Sequence, residues 1–245
     1  MSTPRILRVP ILPLGLVNAH LVLGDRGCLV VDTGLPGSTA KIQRALARQG
    51  KSLQDITLIV ITHAHVDHAG SAAALREASG APIVAHSGDV RHLRREVPMT
   101  FCPTGWFGRC FLRTRLMLQP YMGFTPDILL SGQEELELAP FGFEGVVRST
   151  AGHTAGSISV QLASRDVLVG DLIASGLLLG GIARTGHAKR PPFEDDPAQV
   201  SQVLLDLVDT GARRFYMGHG GPLPAAEVRR HALHLKTLSP IQELP

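Results

Sequence analysis

The sequence predicts a mixed α/β fold, and three observations carry that expectation. Short β-branched runs alternate with stretches of helical apolar spacing along the 245 residues. Turn-forming residues separate them, as at Asp25-Arg26-Gly27, Gly50 and Gly211. The strand-like runs also end repeatedly in histidine or aspartate.

In chain order, AHLVLG (19–24) and CLVVD (28–32) read as a hairpin turning at Asp25-Arg26-Gly27. In PGSTAKIQRALARQG, Ile42, Ala45, Leu46 and Gln49 keep helical spacing, and Gly50 supplies the stop. TLIVI (57–61) is a β-branched run short enough for a buried strand. GSAAALREASG reads as a short helix and PIVAH as a strand. ELELA, FEGVVRST, SISVQL and DVLVG read as further strands up to Gly170. DDPAQVSQVLLDLVDTG has Asp195 or Asp196 as N-cap, Val200, Val203, Leu204 and Leu207 on one face, and Gly211 as terminator. RRFYMGHGG reads as a last strand ending in His219, followed by a closing helix from about Ala225.

Residues 87–130 fit this alternation least well. The segment is rich in aromatic residues, Trp106 among them, and carries Arg91, Arg94, Arg95, Arg109, Arg113 and Arg115. A structureless loop of that length is unusual in a compact domain, so it is expected to be a helical insertion, serving as a lid or as a dimer contact. The chain as a whole, 1–245, is expected to form a single domain, because no composition shift marks a seam. Two passages echo each other: GCLVVDTG (27–34) and RDVLVGDL (165–172) each run a β-branched strand into an aspartate.

The densest chemistry is THAHVDHAG, residues 62–70. His63 and His65 are two apart, so in extended backbone they project to one side and can share a cation. Asp67 and His68 follow where the loop turns and can face a second one. Imidazole with carboxylate is a donor set suited to zinc, iron or manganese. One metal needs more than two protein ligands, which predicts further histidines and aspartates at other strand ends. His153 in STAGHTAGS, Asp171 in LVGDL and His219 in YMGHGG meet that need, each beside a glycine that lets backbone approach a crowded centre.

These blocks, THAHVDHAG, GHTAGS, the aspartate after a hydrophobic strand and the late GHG, resemble in order and spacing the metal-binding motifs of the metallo-β-lactamase fold superfamily. The resemblance spans roughly residues 15–225. It implies an αβ/βα four-layer sandwich of two mixed β-sheets flanked by helices, with the metal site at one edge. It also implies that His63, His65 and His153 bind a first metal, that Asp67, His68 and His219 bind a second, and that Asp171 bridges them. Asp32, in DTG, is expected behind the ligands, fixing the orientation of one of them. Its alternative role is to cap the helix that begins near Pro36. Two divalent ions, zinc first and iron or manganese as alternatives, would hold a shared hydroxide for attack on an electrophilic carbonyl, with Asp67 orienting or deprotonating that water.

Departures from members of that superfamily narrow the activity. Only 26 residues follow His219, too few for the C-terminal helical domain of glyoxalase II-type thioesterases. Ala174 stands where acyl-homoserine lactonases place a tyrosine, Val66 where nucleases carry glycine, and His65 where flavodiiron proteins carry glutamate. A hydrolase of a small ester, thioester or lactone is the reading that remains. The alternative is a mononuclear iron enzyme resembling persulfide dioxygenases, using His63, His153 and Asp171.

Composition sets outer bounds. With 44% hydrophobic and 18% charged residues the chain has ample material for a core. A formal charge of +3, with no Lys/Arg run of five or more, gives little support to a nucleic-acid partner. Prolines at 4, 10 and 13 interrupt the apolar N-terminal stretch, which argues against a secretory or membrane-spanning segment and for a cytoplasmic location. Cys28, Cys102 and Cys110 form no CxxC pair and are expected to be buried thiols, which leaves no structural thiolate site. The expected partner is a small-molecule substrate, with neither nucleic acid nor membrane, and a homodimer is compatible with the chain.

Overall fold

The computed structural model describes residues 3–237. Its first sheet has strands in the order β1 (Arg5–Leu12), β2 (Val17–Leu23), β3 (Cys28–Val31), β4 (Ile56–Val60), β5 (Ile83–His86) and β6 (Ile128–Leu130). The first three are antiparallel neighbours and the last three connections are parallel. The second sheet uses β7 (Glu135–Glu137), β8 (Gly145–Ser149), β9 (Ile158–Leu162), β10 (Asp166–Leu168), β13 (Arg214–Tyr216) and β14 (Leu223–Pro224), in the order β14-β13-β10-β9-β8-β7. A small ribbon pairs β11 (Ala174–Ser175) with β12 (Ala188–Lys189).

Period-two alternation decides what each strand buries. Val30, Ile59 and Ile83 face α1 (Thr39–Ala47) and α3 (Ala72–Ser79) in one core, with Ile42, Leu46 and Leu75 opposite. Their neighbours Leu29, Val31, Leu58, Val60 and Val84 point the other way, into a core shared with Phe143, Val147, Ile158, Val160 and Leu168 of the second sheet. On that sheet's outer side, Val167 and Phe215 meet Val200 and Leu204 of α6 (Pro197–Asp209) and Val228 and Ala232 of α7 (Ala225–Leu235). The result is a helix–sheet–sheet–helix sandwich, the four layers expected from the sequence. Asp196 is the N-cap of α6, its Oδ1 accepting from Ala198 N and Gln199 N at 2.9 Å.

The two echoing passages occupy matching places. β3 and β10 are each third from an edge of their sheet, and each has one antiparallel and one parallel neighbour. Both therefore deliver an aspartate, Asp32 or Asp171, just beyond the strand end.

Some elements depart from expectation. β1 is a strand that the prolines hid: it runs along a sheet edge, where Pro10 needs no ladder hydrogen bond on its outer side, and its register slips between Pro10 and Leu12. Residues 87–130 are only partly helical. They hold α4 (Val90–Leu93) and α5 (Gly105–Arg113), irregular chain after Leu118, and β6 at the end. α2 (Val66–Ala69) is a single turn within the histidine-rich loop. Cys102 and Cys110 are exposed rather than buried, because the segment that carries them lies on the surface. Cys28 is buried, and burial pushes its thiol up to about 12. Among the described residues no helix is long and apolar enough to cross a membrane.

Candidate metal centre

All seven sequence-selected ligands lie beyond strand ends at one edge of the sandwich, and all are buried. His63 and His65 follow β4. His65 stays extended (φ −62°, ψ 148°) before α2 begins, and α2 carries Asp67 and His68. His153 comes from the loop between β8 and β9, Asp171 follows β10, and His219 follows β13. Glycine makes this crowding feasible. A Cβ on Gly218 would lie 2.3 Å from His68 Cε1 and 2.5 Å from Asp171 Oδ1. Gly170, at φ +54°, would drive one to 2.6 Å from Thr62 Oγ1.

Two trios result. In the first, His63 Nε2, His65 Nδ1 and His153 Nε2 are mutually 3.0, 3.2 and 3.3 Å apart. In the second, His219 Nε2 is 3.4 Å and His68 Nε2 3.9 Å from Asp67 Oδ2. Asp171 stands between them. Its Oδ2 is 3.0 Å from His219 Nε2 and 4.0 Å from His153 Nε2, and its Oδ1 is 3.4 Å from His68 Nε2. These groups meet the geometric requirement for shared cation ligation three times over.

The residues fit metal ions on two counts. Bonds of about 2.0–2.1 Å in a tetrahedron put ligand atoms about 3.4 Å apart, close to the spacing of the first trio. In addition, Asp67 Oδ1, His68 Nε2 and Asp171 Oδ1 are buried atoms without a hydrogen-bond partner, which is costly unless something else satisfies them. The buried His and Asp clusters are thus positioned as a dinuclear-type metal site.

Supporting hydrogen bonds set which ring nitrogen is free. Asp32 Oδ2 accepts from His68 Nδ1 at 2.8 Å, and its Oδ1 accepts from Thr62 N and Thr62 Oγ1, both at 2.9 Å. The Thr62 hydroxyl spends its proton on Asp32 and so accepts from His63 Nδ1 at 3.0 Å, leaving the lone pair of His63 Nε2 for the cluster. His219 Nδ1 donates to the carbonyl of Leu16, with the same effect. Asp32 does this in a left-handed backbone conformation (φ 61°), and the helix after it has Ser38 rather than Asp32 as its N-cap residue.

Electrostatics divide the trios. Burial holds His63 and His65 well below the usual imidazole range, reinforced by neighbouring imidazoles, and brings His153 down to about 4. Burial opposes charge on His68 and His219 too and is the largest single influence, but the carboxylates together outweigh it, Asp171 foremost, joined by Asp32 and Asp67 at His68 and by Asp67 at His219. Burial likewise opposes charge on Asp171, yet His219 and His68 hold it ionised well below the carboxylate range.

Sequence reasoning missed Asp89. This carboxylate, 2% exposed, accepts from Ala64 N and Thr154 Oγ1 at 2.9 Å through Oδ2, and from Gly156 N at 2.9 Å through Oδ1. It ties the THAHVDH loop to the GHTAGS loop, and nothing local in HSGDV signals that. Phe101 stacks on the His65 ring at 4.9 Å between centroids, and Phe193 meets it edge-on at 6.3 Å. Of the remaining histidines, His20 is buried edge-on against Tyr216 and His187 is exposed beside Glu227. His231 is buried because its face of α7 packs inward.

A cavity of about 300 Å³ opens over the cluster. Asp67, His153, Asp171 and His219 form its floor, and Leu12, Leu16, Leu35, Phe107, Phe111 and Phe193 are among its walls.

Fold and site together define a metal-dependent hydrolase. Residues 12–219 match the metallo-beta-lactamase superfamily, and the chain belongs to that superfamily. It is similar to the probable metallo-hydrolase MJ0888 of Methanocaldococcus jannaschii, with 32% identity over 83% of this chain and 87% of that one. It is also similar to the probable metallo-hydrolase YqgX of Bacillus subtilis, with 29% identity over 73% of this chain and 74% of that one. A solved metallo-beta-lactamase family protein of Thermus thermophilus superposes with a TM-score of 0.65 at 26% identity, covering 96% of this chain and 79% of that chain.

Proposed function

We propose that the protein is a two-zinc hydrolase of a small ester, thioester or lactone with an apolar acyl group. The observation that carries this reading is the pairing of a floor that presents five of the seven candidate ligands, His65, Asp67, His153, Asp171 and His219, with aliphatic and aromatic walls in one cavity. In this reading His63, His65 and His153 hold one ion, Asp67, His68 and His219 hold the other, and Asp171 reaches both. When bound, the metal pair polarises the substrate oxygen and brings the pKa of a bound water to about 7.

The chain's own residues do the rest. Asp32 and Thr62 keep His68 and His63 in the tautomers that leave Nε2 free. Asp67 Oδ1, buried and unpartnered, orients the attacking water and takes its proton. Phe107, Phe111, Leu116 and Met117, all from the 87–130 segment, line the cavity and exclude bulk water, which favours a lid over an interface for that segment. Zinc suits a set of imidazoles and carboxylates with no thiolate, and iron and manganese share that preference. Cys102 and Cys110, exposed thiols outside any disulfide, suit a reducing compartment, which supports a cytoplasmic location.

The test combines elemental analysis with a panel of thioesters, esters, lactones and phosphodiesters. Two divalent ions per chain and turnover of acyl substrates, abolished by chelation and restored by zinc, are the expected results. A single iron per chain with oxygen-dependent turnover would replace this reading with a dioxygenase.

A further inference from the structure

A second cavity, of about 490 Å³, lies against the first and shares Phe107, Leu179 and Pro192 with it as a common wall. Its chemistry is the reverse of its neighbour's. Lys189, Arg190, Arg230, His231 and His234 line it, and among the described residues no carboxylate does. Two of these cations are already engaged: Arg230 grips Glu227 at 2.6 Å, and Arg190 Nε donates to Glu194 at 2.6 Å.

Two donors, on Lys189 and Arg190, and one imidazole nitrogen are left over. Lys189 has no carboxylate partner among the described residues, and its Nζ sits 5.8 Å from the Phe107 ring centroid, at the common wall. Partial burial lowers the pKa of that ammonium, so its charge carries a desolvation cost that no carboxylate among the described residues offsets. Arg190 Nη2 and His231 Nε2 are buried and make no hydrogen bond, and His231 is only 3% exposed. Glu194 balances Arg190 weakly, since burial pushes its carboxyl up to about 7. A group that only accepts hydrogen bonds and carries negative charge would satisfy such donors together.

We propose that this second cavity binds the anionic end, a phosphate or a carboxylate, of the molecule whose acyl group lies over the metal-ligand cluster. The substrate class becomes an apolar acyl ester or thioester with a charged leaving portion, which rests on the hydrolase reading above. The arginines of the 87–130 segment do not supply this charge recognition: Arg109, Arg113 and Arg115 are exposed and line neither cavity. The role falls to Lys189, which the short β11–β12 ribbon carries to the common wall.

The test uses the metal-loaded full chain and esters sharing one acyl group, with the alcohol portion neutral, carboxylated or phosphorylated. Wild type is expected to prefer one anionic form over the neutral one by about tenfold or more in kcat/KM. That ratio should collapse in Lys189→Gln, return in Lys189→Arg, and stay at the wild-type value in Lys51→Gln, which removes the same charge elsewhere. Whichever anionic arm shows the preference identifies the ligand as phosphate or carboxylate. A ratio unmoved by Lys189→Gln, or lowered equally by Lys51→Gln, overturns the subsite.

Calorimetric titration of inorganic phosphate and of acetate into wild type and Lys189→Gln reads the same site without turnover. Weaker binding of one anion in the variant supports the proposal, and identical isotherms for both anions overturn it. If no ester is cleaved at all, the acyl-hydrolase reading fails while these isotherms still decide the subsite.

Discussion

The two candidate ligand trios are built from similar side chains, yet the pKa values of their histidines are pushed in opposite directions. His63, His65 and His153 are surrounded mainly by one another and by apolar walls, so burial keeps them neutral and their lone pairs available. His68 and His219 face Asp67 and Asp171, so the same burial is overridden and the pKa of each ring is raised. Since all five rings are buried, their neighbours decide whether a histidine meets a cation as a ready ligand or as a site that holds its proton more tightly. The first trio is a neutral cage that a cation completes. In the second, a cation competes with protons.

The strongest way to break that contrast is to remove the group common to both. Asp171→Ala should lower metal content by at least one ion per chain and hydrolysis on the order of 10³-fold, read by elemental analysis and kinetics. Full metal content in that variant would mean that Asp171 does not join the trios. Asp89→Ala separates the two loops that assemble the first trio and should cost ~3 kcal/mol of stability in denaturant melts, with metal loss following the unfolding. Asp32→Asn should reduce activity by roughly 10–100-fold and weaken the His68 side first, because His68 loses a charged acceptor while His63 keeps Thr62. Equal weakening of both ions would show that Asp32 acts on the cluster as a whole.

Smaller effects sharpen the comparison. Phe111→Ala should raise KM for longer acyl chains by about tenfold and leave metal content alone, the expected signature of a wall residue. The least effect concerns protons. In chelator-stripped protein near neutral pH the first trio is already deprotonated, so an ion entering it displaces none. The raised pKa values of His68 and His219 mean that an ion entering the second trio displaces protons, and that its affinity falls as pH falls. Calorimetry in two buffers of different ionisation heat should show proton release for one of the two binding events only. Release shared evenly by both would erase the distinction.

Much of this was legible in the sequence because short-range chemistry carried it. His63 and His65 share a side because extended backbone alternates, and the apolar runs that lead to Asp32, His63 and Asp171 mark strands of both sheets that end at one edge of the sandwich. The prolines that concealed β1 are local signals whose meaning depends on whether a strand lies at an edge or in the middle, which no single segment records. Asp89 was invisible for a related reason: its three donors come from residues 25, 65 and 67 positions away.

By itself the sequence determined the four layers and singled out the seven His and Asp side chains that cluster at one edge, since strand periodicity and the affinity of imidazole and carboxylate for cations are properties of residues and their near neighbours. Only the tertiary structure decided the electrostatic split between the trios, the link through Asp89 and the basic cavity behind Phe107. Each depends on distances between groups remote along the chain, and the Coulomb and desolvation energies that set their charge exist only once those groups are packed together.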